Sequence, residues 1–122
     1  MKRLFLAFAV PALVVTSPAL AGISKNSRVP AGAALLIGGS TPKGIDIDGQ
    51  NRSKVPVEMS VESDGERRFV RTLAPRERFV QYIRADETIV LRNLSDGERA
   101  TIYWHVSGYS KQANPRIEPT AP

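Results

Sequence analysis

Cysteine is absent from the whole chain, and histidine occurs once, as His105. Without thiols there is no disulfide framework, and no lipid-modified cysteine can tie the chain to a membrane. One imidazole and no thiolate are too few for copper or structural zinc sites, which draw several such ligands. Neither a metal nor another cofactor is expected.

Long apolar runs are also missing. The uncharged stretch from Leu4 to Val15 covers about a dozen residues, against the roughly 20 that a helix needs to cross a bilayer. After Ala21 no stretch keeps a 3.6-residue apolar period free of turn residues, so no sizeable helix is expected. Phosphate-cradling loops are lacking too: Gly38-Gly39-Ser40-Thr41 is followed by neither Gly-Lys-Ser/Thr nor a helical pattern.

What the N-terminus does contain is Lys2-Arg3, then the apolar run, then Thr16-Ser17-Pro18 and the small-residue site Ala19-Leu20-Ala21. This is the three-part layout of a secretory signal peptide. Residues 1–21 are expected to be cleaved, leaving Gly22 as the new N-terminus and the periplasm or the medium as the destination. The mature part then has about one domain's worth of residues, assigned to a single β-sandwich domain over 22–111 and an extended Pro-rich C-terminal tail over 112–122. With Lys2 and Arg3 removed, fifteen basic residues face twelve acidic ones, a net charge of +3. Arginine outnumbers lysine eleven to four in that part, a bias toward the side chain that grips carboxylates and phosphates bidentately.

Short alternating segments dominate the rest. Val55, Val57, Met59 and Val61 alternate with Pro56, Glu58, Ser60 and Glu62, and Ala100, Ile102, Trp104 and Val106 alternate with Thr101, Tyr103, His105 and Ser107. Each set predicts a strand with one buried face. Arg67 to Leu73, Glu77 to Ile83 and Thr88 to Leu94 read as further strands, and Gly32 to Ile37 as the first. Asp48-Gly49 reads as a hairpin turn, and no element is expected after Ser107-Gly108-Tyr109. About seven short strands at this spacing predict an all-β, small antiparallel sandwich, with an immunoglobulin-like order favoured.

Candidate chemistry is sparse. His105 and Ser107 would share a strand face roughly 7 Å apart, too far for a nucleophile and its base, and no Gly-x-Ser-x-Gly elbow accompanies them. Asp46-Ile47-Asp48-Gly49-Gln50-Asn51 echoes the start of a calcium loop, but Asn51 and Val57 stand where glycine and a bidentate glutamate belong. The arginines between positions 67 and 84 are the most unusual local feature. If 67–73 and 77–83 paired through Ala74-Pro75-Arg76, Phe69, Leu73, Phe79 and Ile83 would face the core together with Arg67 and Arg71. Arg68, Arg78, Tyr82 and Arg84 would then face solvent. Tyr103, His105 and Tyr109 would form an aromatic patch opposite Trp104.

These seven residues make up the candidate binding face. The expected function is a non-enzymatic binding or accessory module that contacts another macromolecule through a sheet face or a free strand edge. The partner would be a protein or an anionic envelope polysaccharide or lipid headgroup, not a nucleic acid. The alternative is polyanion binding, to lipopolysaccharide or acidic polysaccharide, through the arginine face; a hydrolase or hydrolase inhibitor ranks below both.

Overall fold

The computed structural model describes residues 23–107 and 113–119. Among them the chain forms β1 (Ile23–Val29), β2 (Ala34–Gly38), β3 (Ile45–Asn51), β4 (Val57–Ser63), β5 (Glu66–Leu73), β6 (Arg78–Ile83), β7 (Thr88–Asn93), β8 (Ala100–Val106) and β9 (Arg116–Glu118). Two antiparallel sheets result, with orders β1-β8-β3-β6 and β5-β4-β7-β2-β9. They enclose one main core, to which Ile47, Phe79, Ile83, Ile102 and Trp104 come from the first sheet and Leu35, Ile37, Met59, Leu73, Ile89 and Leu91 from the second. The expected all-β sandwich is thus present.

Its strand order is not the immunoglobulin-like one. That order seats the first two strands side by side in one sheet, whereas here β1 and β2 lie in different sheets. Instead the first strand pairs with the eighth, the second with the seventh, the third with the sixth and the fourth with the fifth. Such nested pairing, folded over into two layers, is a jelly-roll order.

Three turns explain why the chain keeps changing sheets. In Pro30–Ala33, Ala74–Glu77 and Arg84–Glu87 the fourth N–H donates to the first carbonyl at 3.0, 3.0 and 3.1 Å. The third residues, Gly32, Arg76 and Asp86, have φ of 76°, 73° and 64°, the signature of a type II turn. This turn splays the flanking strands, unlike the primed turns that close two-residue hairpins. Its third N–H is also held by the opposite part of the fold: Gly32 by the Asn93 carbonyl, Arg76 by that of Asn51 and Asp86 by that of Thr41. By contrast Asp64 and Gly65, at φ 53° and 82°, both take the left-handed values of a type I′ turn and do join β4 to β5 as a hairpin.

The expected pairing of 67–73 with 77–83 is therefore corrected. β5 pairs with β4 in one sheet and β6 with β3 in the other. Phe69 is also not in the core: it is 59% exposed. The register of β5 against β4 shifts between Met59 and Ser60, so a bulge turns Val70 inward against the core instead. Arg71 lies opposite Met59 at the sheet edge, where it meets Glu77 at 3.7 Å and donates to the Arg78 carbonyl at 3.2 Å.

Asp48-Gly49 is not a turn. Both residues lie inside β3, paired on one side with β6 and on the other with β8. The strand count also exceeds expectation at both ends: β1 pairs with β8 along its length, and β9 adds to β2 where an unpaired tail had been expected.

β9 is held by more than its backbone. Glu118 receives Arg67 at 3.2 Å and Arg92 at 3.2 Å, although β5, which carries Arg67, is the opposite edge of the same sheet. Four strand spacings in a flat sheet would be about 19 Å, beyond the combined reach of the two side chains. The sheet therefore curls with its outer face concave, and Ala34, Leu36 and Val90 lie buried on that face. The hydrogen bond from Arg67, reinforced by the charges of Arg67 and Arg92, holds the Glu118 carboxyl below its ordinary value. A carboxyl depressed on folding adds stability above its unfolded pKa, and that stability is lost as pH falls through the folded value. The pair is partly exposed, so the effect is small and salt-screened. Glu118→Gln is expected to keep the fold at neutral pH and to flatten the fall of thermal midpoint on acidification. Identical pH curves for the two proteins would refute this account.

Candidate functional site

Phe79 and Ile83 point into the core, so alternation along β6 sends Arg78, Val80 and Tyr82 outward. On β8, Ile102, Trp104 and Val106 point inward, and Trp104 Nε1 donates to Ser27 Oγ at 2.9 Å. Thr101, Tyr103 and His105 are thereby outward. β3 lies between these strands and contributes Asp46, Asp48 and Gln50. Register joins them into rows: Ser24, His105, Asp48 and Val80 in one, and Asn26, Tyr103, Gln50 and Arg78 in the next, with Tyr82 beside Asp46. Four sequence candidates, Arg78, Tyr82, Tyr103 and His105, thus share the outer face of the four-stranded sheet.

The side chains on this face are ordered by one another. His105 Nδ1 and Asp48 Oδ1 are 3.2 Å apart. The Arg52 guanidinium lies 4.5 Å from the Tyr103 ring centroid, a cation–π distance, and its donors reach Gln50 at 3.1 Å and Asn26 at 3.3 Å. Tyr82 rests on Gly44. A Cβ at position 44 would strike the Tyr82 Oη, Cζ and Cε1 atoms, so the hydroxyl end of the ring fills the space beside the bare glycine backbone. Val80 and Tyr82, on the edge strand β6, remain 71% and 56% exposed, the apolar margin of an otherwise polar surface.

Arg68 and Arg84 arrive beside Tyr82 by another route. Arg68 belongs to the second sheet, and Arg84 opens the turn after β6. The edges of the two sheets, β5 and β6, run along the same flank, and there Ser63, Arg68, Gln81, Tyr82, Arg84 and Glu87 line an open cleft of about 650 Å³. Glu87 is fixed by accepting the Arg84 N–H at 2.8 Å, and Gln81 by donating to the Tyr82 carbonyl at 3.0 Å. Among the described residues, neither Arg68 nor Arg84 has a carboxylate within ion-pair distance.

No known family, curated protein or solved structure matches this chain.

Tyr109 lies outside the described residues. Asp46 and Asp48 stand on a sheet face with Asp48 turned to His105, and among the described residues no three His, Asp or Glu side chains gather as metal ligands would. No helix among them is long and apolar enough to cross a membrane. The edges on this flank are guarded: Arg71 caps the Arg78 carbonyl and Gln81 the Tyr82 carbonyl on β6, while β5 carries the bulge, a common edge defence. Sequence reasoning missed Gly44, Arg52, Gln81 and Glu87. Their roles depend on which strands become neighbours, and no local pattern encodes that.

Proposed function

We propose that this chain is an exported, non-catalytic binding module that engages another macromolecule through the outer face of its four-stranded sheet. The observation that carries the reading is the placement of Arg78, Tyr82, Tyr103 and His105 on one sheet face together with exposed Val80. Aromatic and arginine side chains fixed in place give contact area at low ordering cost, which suits them to recognition. The face is favoured over the adjoining β5 and β6 edges because the Arg78 and Tyr82 carbonyls of β6 are capped by side chains and β5 is bulged. Against catalysis stands the exposure of the His105 and Asp48 pair, with Ser107 two residues further along the chain, past the end of β8. Export rests on the N-terminal layout, and processing should yield a periplasmic chain beginning at Gly22.

The reading is tested in cells with a photocrosslinking residue at position 80, compared with one at Ile117, which is 43% exposed on the far edge strand β9. Adducts are expected from position 80 and not from 117. Tyr82→Ala with Tyr103→Ala should reduce them about tenfold or more without shifting the thermal midpoint by more than a few degrees. No adduct at 80, or equal adducts at both positions, would overturn it. A second reading, polyanion binding, has its own support in the cleft shared by Arg68, Tyr82 and Arg84.

A further inference from the structure

We infer that the cleft on the β5 and β6 flank is a binding site for a uronic-acid residue, the carboxylate-bearing sugar of an acidic polysaccharide. The inference rests on the polyanion reading and names the chemistry of its ligand. Three features of the cleft converge on it. Tyr82 packs its hydroxyl end against Gly44 and is more than half exposed, an aromatic surface fixed in place for the C–H face of a sugar ring. Arg68 and Arg84 bring two guanidinium groups to the same cleft, neither with a carboxylate of the described residues within ion-pair distance, and a guanidinium binds a carboxylate through two parallel hydrogen bonds. Ser63, Gln81 and Glu87 complete the wall. The second Glu87 carboxylate oxygen and the Gln81 amide oxygen are the acceptors that sugar hydroxyls need.

The mixture selects among anions. A bare phosphate would gain the two arginines, but it has no apolar face to lay on Tyr82 and no hydroxyl array for Gln81 and Glu87. A neutral sugar would use Tyr82 and Glu87 but would leave both guanidinium groups without a counter-charge while removing them from water. A uronate offers a carboxylate to the arginines, hydroxyls to Gln81 and Glu87, and a C–H face to Tyr82. Tyr82 also belongs to the outer sheet face, so a polymer held here has a continuous path across Val80 toward Tyr103.

The test is calorimetric titration of the full processed chain with oligogalacturonate, with a neutral galactose oligosaccharide of equal length, and with inorganic phosphate. Oligogalacturonate alone is expected to bind, more weakly as salt rises. Arg68→Ala and Arg84→Ala should each weaken it about tenfold. Tyr82→Phe should retain binding and Tyr82→Ala should lose it, and Gly44→Ala should weaken it by lifting the ring from its seat. Equal binding of the neutral oligosaccharide, displacement by equimolar phosphate, no binding at millimolar oligogalacturonate, or binding indifferent to both arginine substitutions would each overturn the inference. The sheet-face reading stands or falls separately, by the crosslink at position 80.

Discussion

Replacing Gly49 with alanine is expected to cost about 3 kcal/mol or more, enough to unfold a domain of ordinary marginal stability. The position looks harmless in isolation, because alanine suits an extended backbone better than glycine does. Space decides otherwise. Gly49 sits in β3 between β6 and β8, and an added Cβ would strike the Tyr103 backbone carbonyl and come within 2.9 and 3.0 Å of two carbons of the Phe79 ring. The ring could shift, but the carbonyl belongs to the neighbouring central strand and could move only with β8. Phe79→Leu alone should be tolerated with a modest loss. The double variant Gly49→Ala with Phe79→Leu should remain as unstable as Gly49→Ala, because removing the ring leaves the carbonyl contact in place. Rescue by the double variant in urea unfolding would show that the ring, and not the backbone, sets the constraint.

Gly49 also marks where sequence reasoning stops. Asp48-Gly49 carries the local chemistry of a hairpin turn, and in isolation that chemistry favours reversal. Here the glycine is needed for its lack of a side chain: the Tyr103 carbonyl, one strand over in β8, occupies the space a Cβ would take. Alternation was legible wherever one face of a strand is wholly apolar, as in Ala100 to Val106, which is why Tyr103 and His105 were assigned to the outer face correctly. It was illegible in β1, an edge strand whose Ser24, Lys25 and Asn26 are exposed, and in β9, which is three residues long. The arginine set was recognised as a group, but its geometry was misplaced. A hairpin would have put Arg68 and Tyr82 on one face, whereas the structure brings them together across the gap between two sheets. The deciding signals were the type II turn at Ala74–Glu77 and the bulge in β5, and each depends on contacts with distant strands.

Those contacts run through two buried asparagines, and removing either is expected to loosen one sheet crossing. Asn51 Nδ2 donates to the carbonyls of Val55, Leu73 and Ala74 at 2.8, 3.2 and 3.2 Å, and its Oδ1 accepts the Ser53 N–H at 3.1 Å. Its backbone N–H and C=O bond Glu77 and Arg76. Asn93 repeats the arrangement at the other end: Nδ2 reaches the carbonyls of Val29 and Glu98 at 3.0 and 2.7 Å, Oδ1 accepts Ser95 N–H at 2.8 Å, and the backbone bonds Ala33 and Gly32. Each side chain therefore holds the residue that leads into a type II turn while its backbone holds the turn itself. A buried polar group left without a partner costs about 1 to 3 kcal/mol, and Asn51→Ala strands several, so a loss of about 3 kcal/mol or more is expected. Asn51→Asp should be worse at neutral pH, since a carboxylate would face three carbonyl oxygens, and should recover partly in acid as the carboxyl takes up a proton and regains a donor. Hydrogen exchange gives the local readout: Asn51→Ala should speed exchange first at Arg76 and Glu77, and Asn93→Ala first at Gly32 and Ala33. Uniform acceleration across the whole domain in both variants would mean that the crossings do not open independently. Each asparagine would then stabilise the sandwich as a unit and not its own turn.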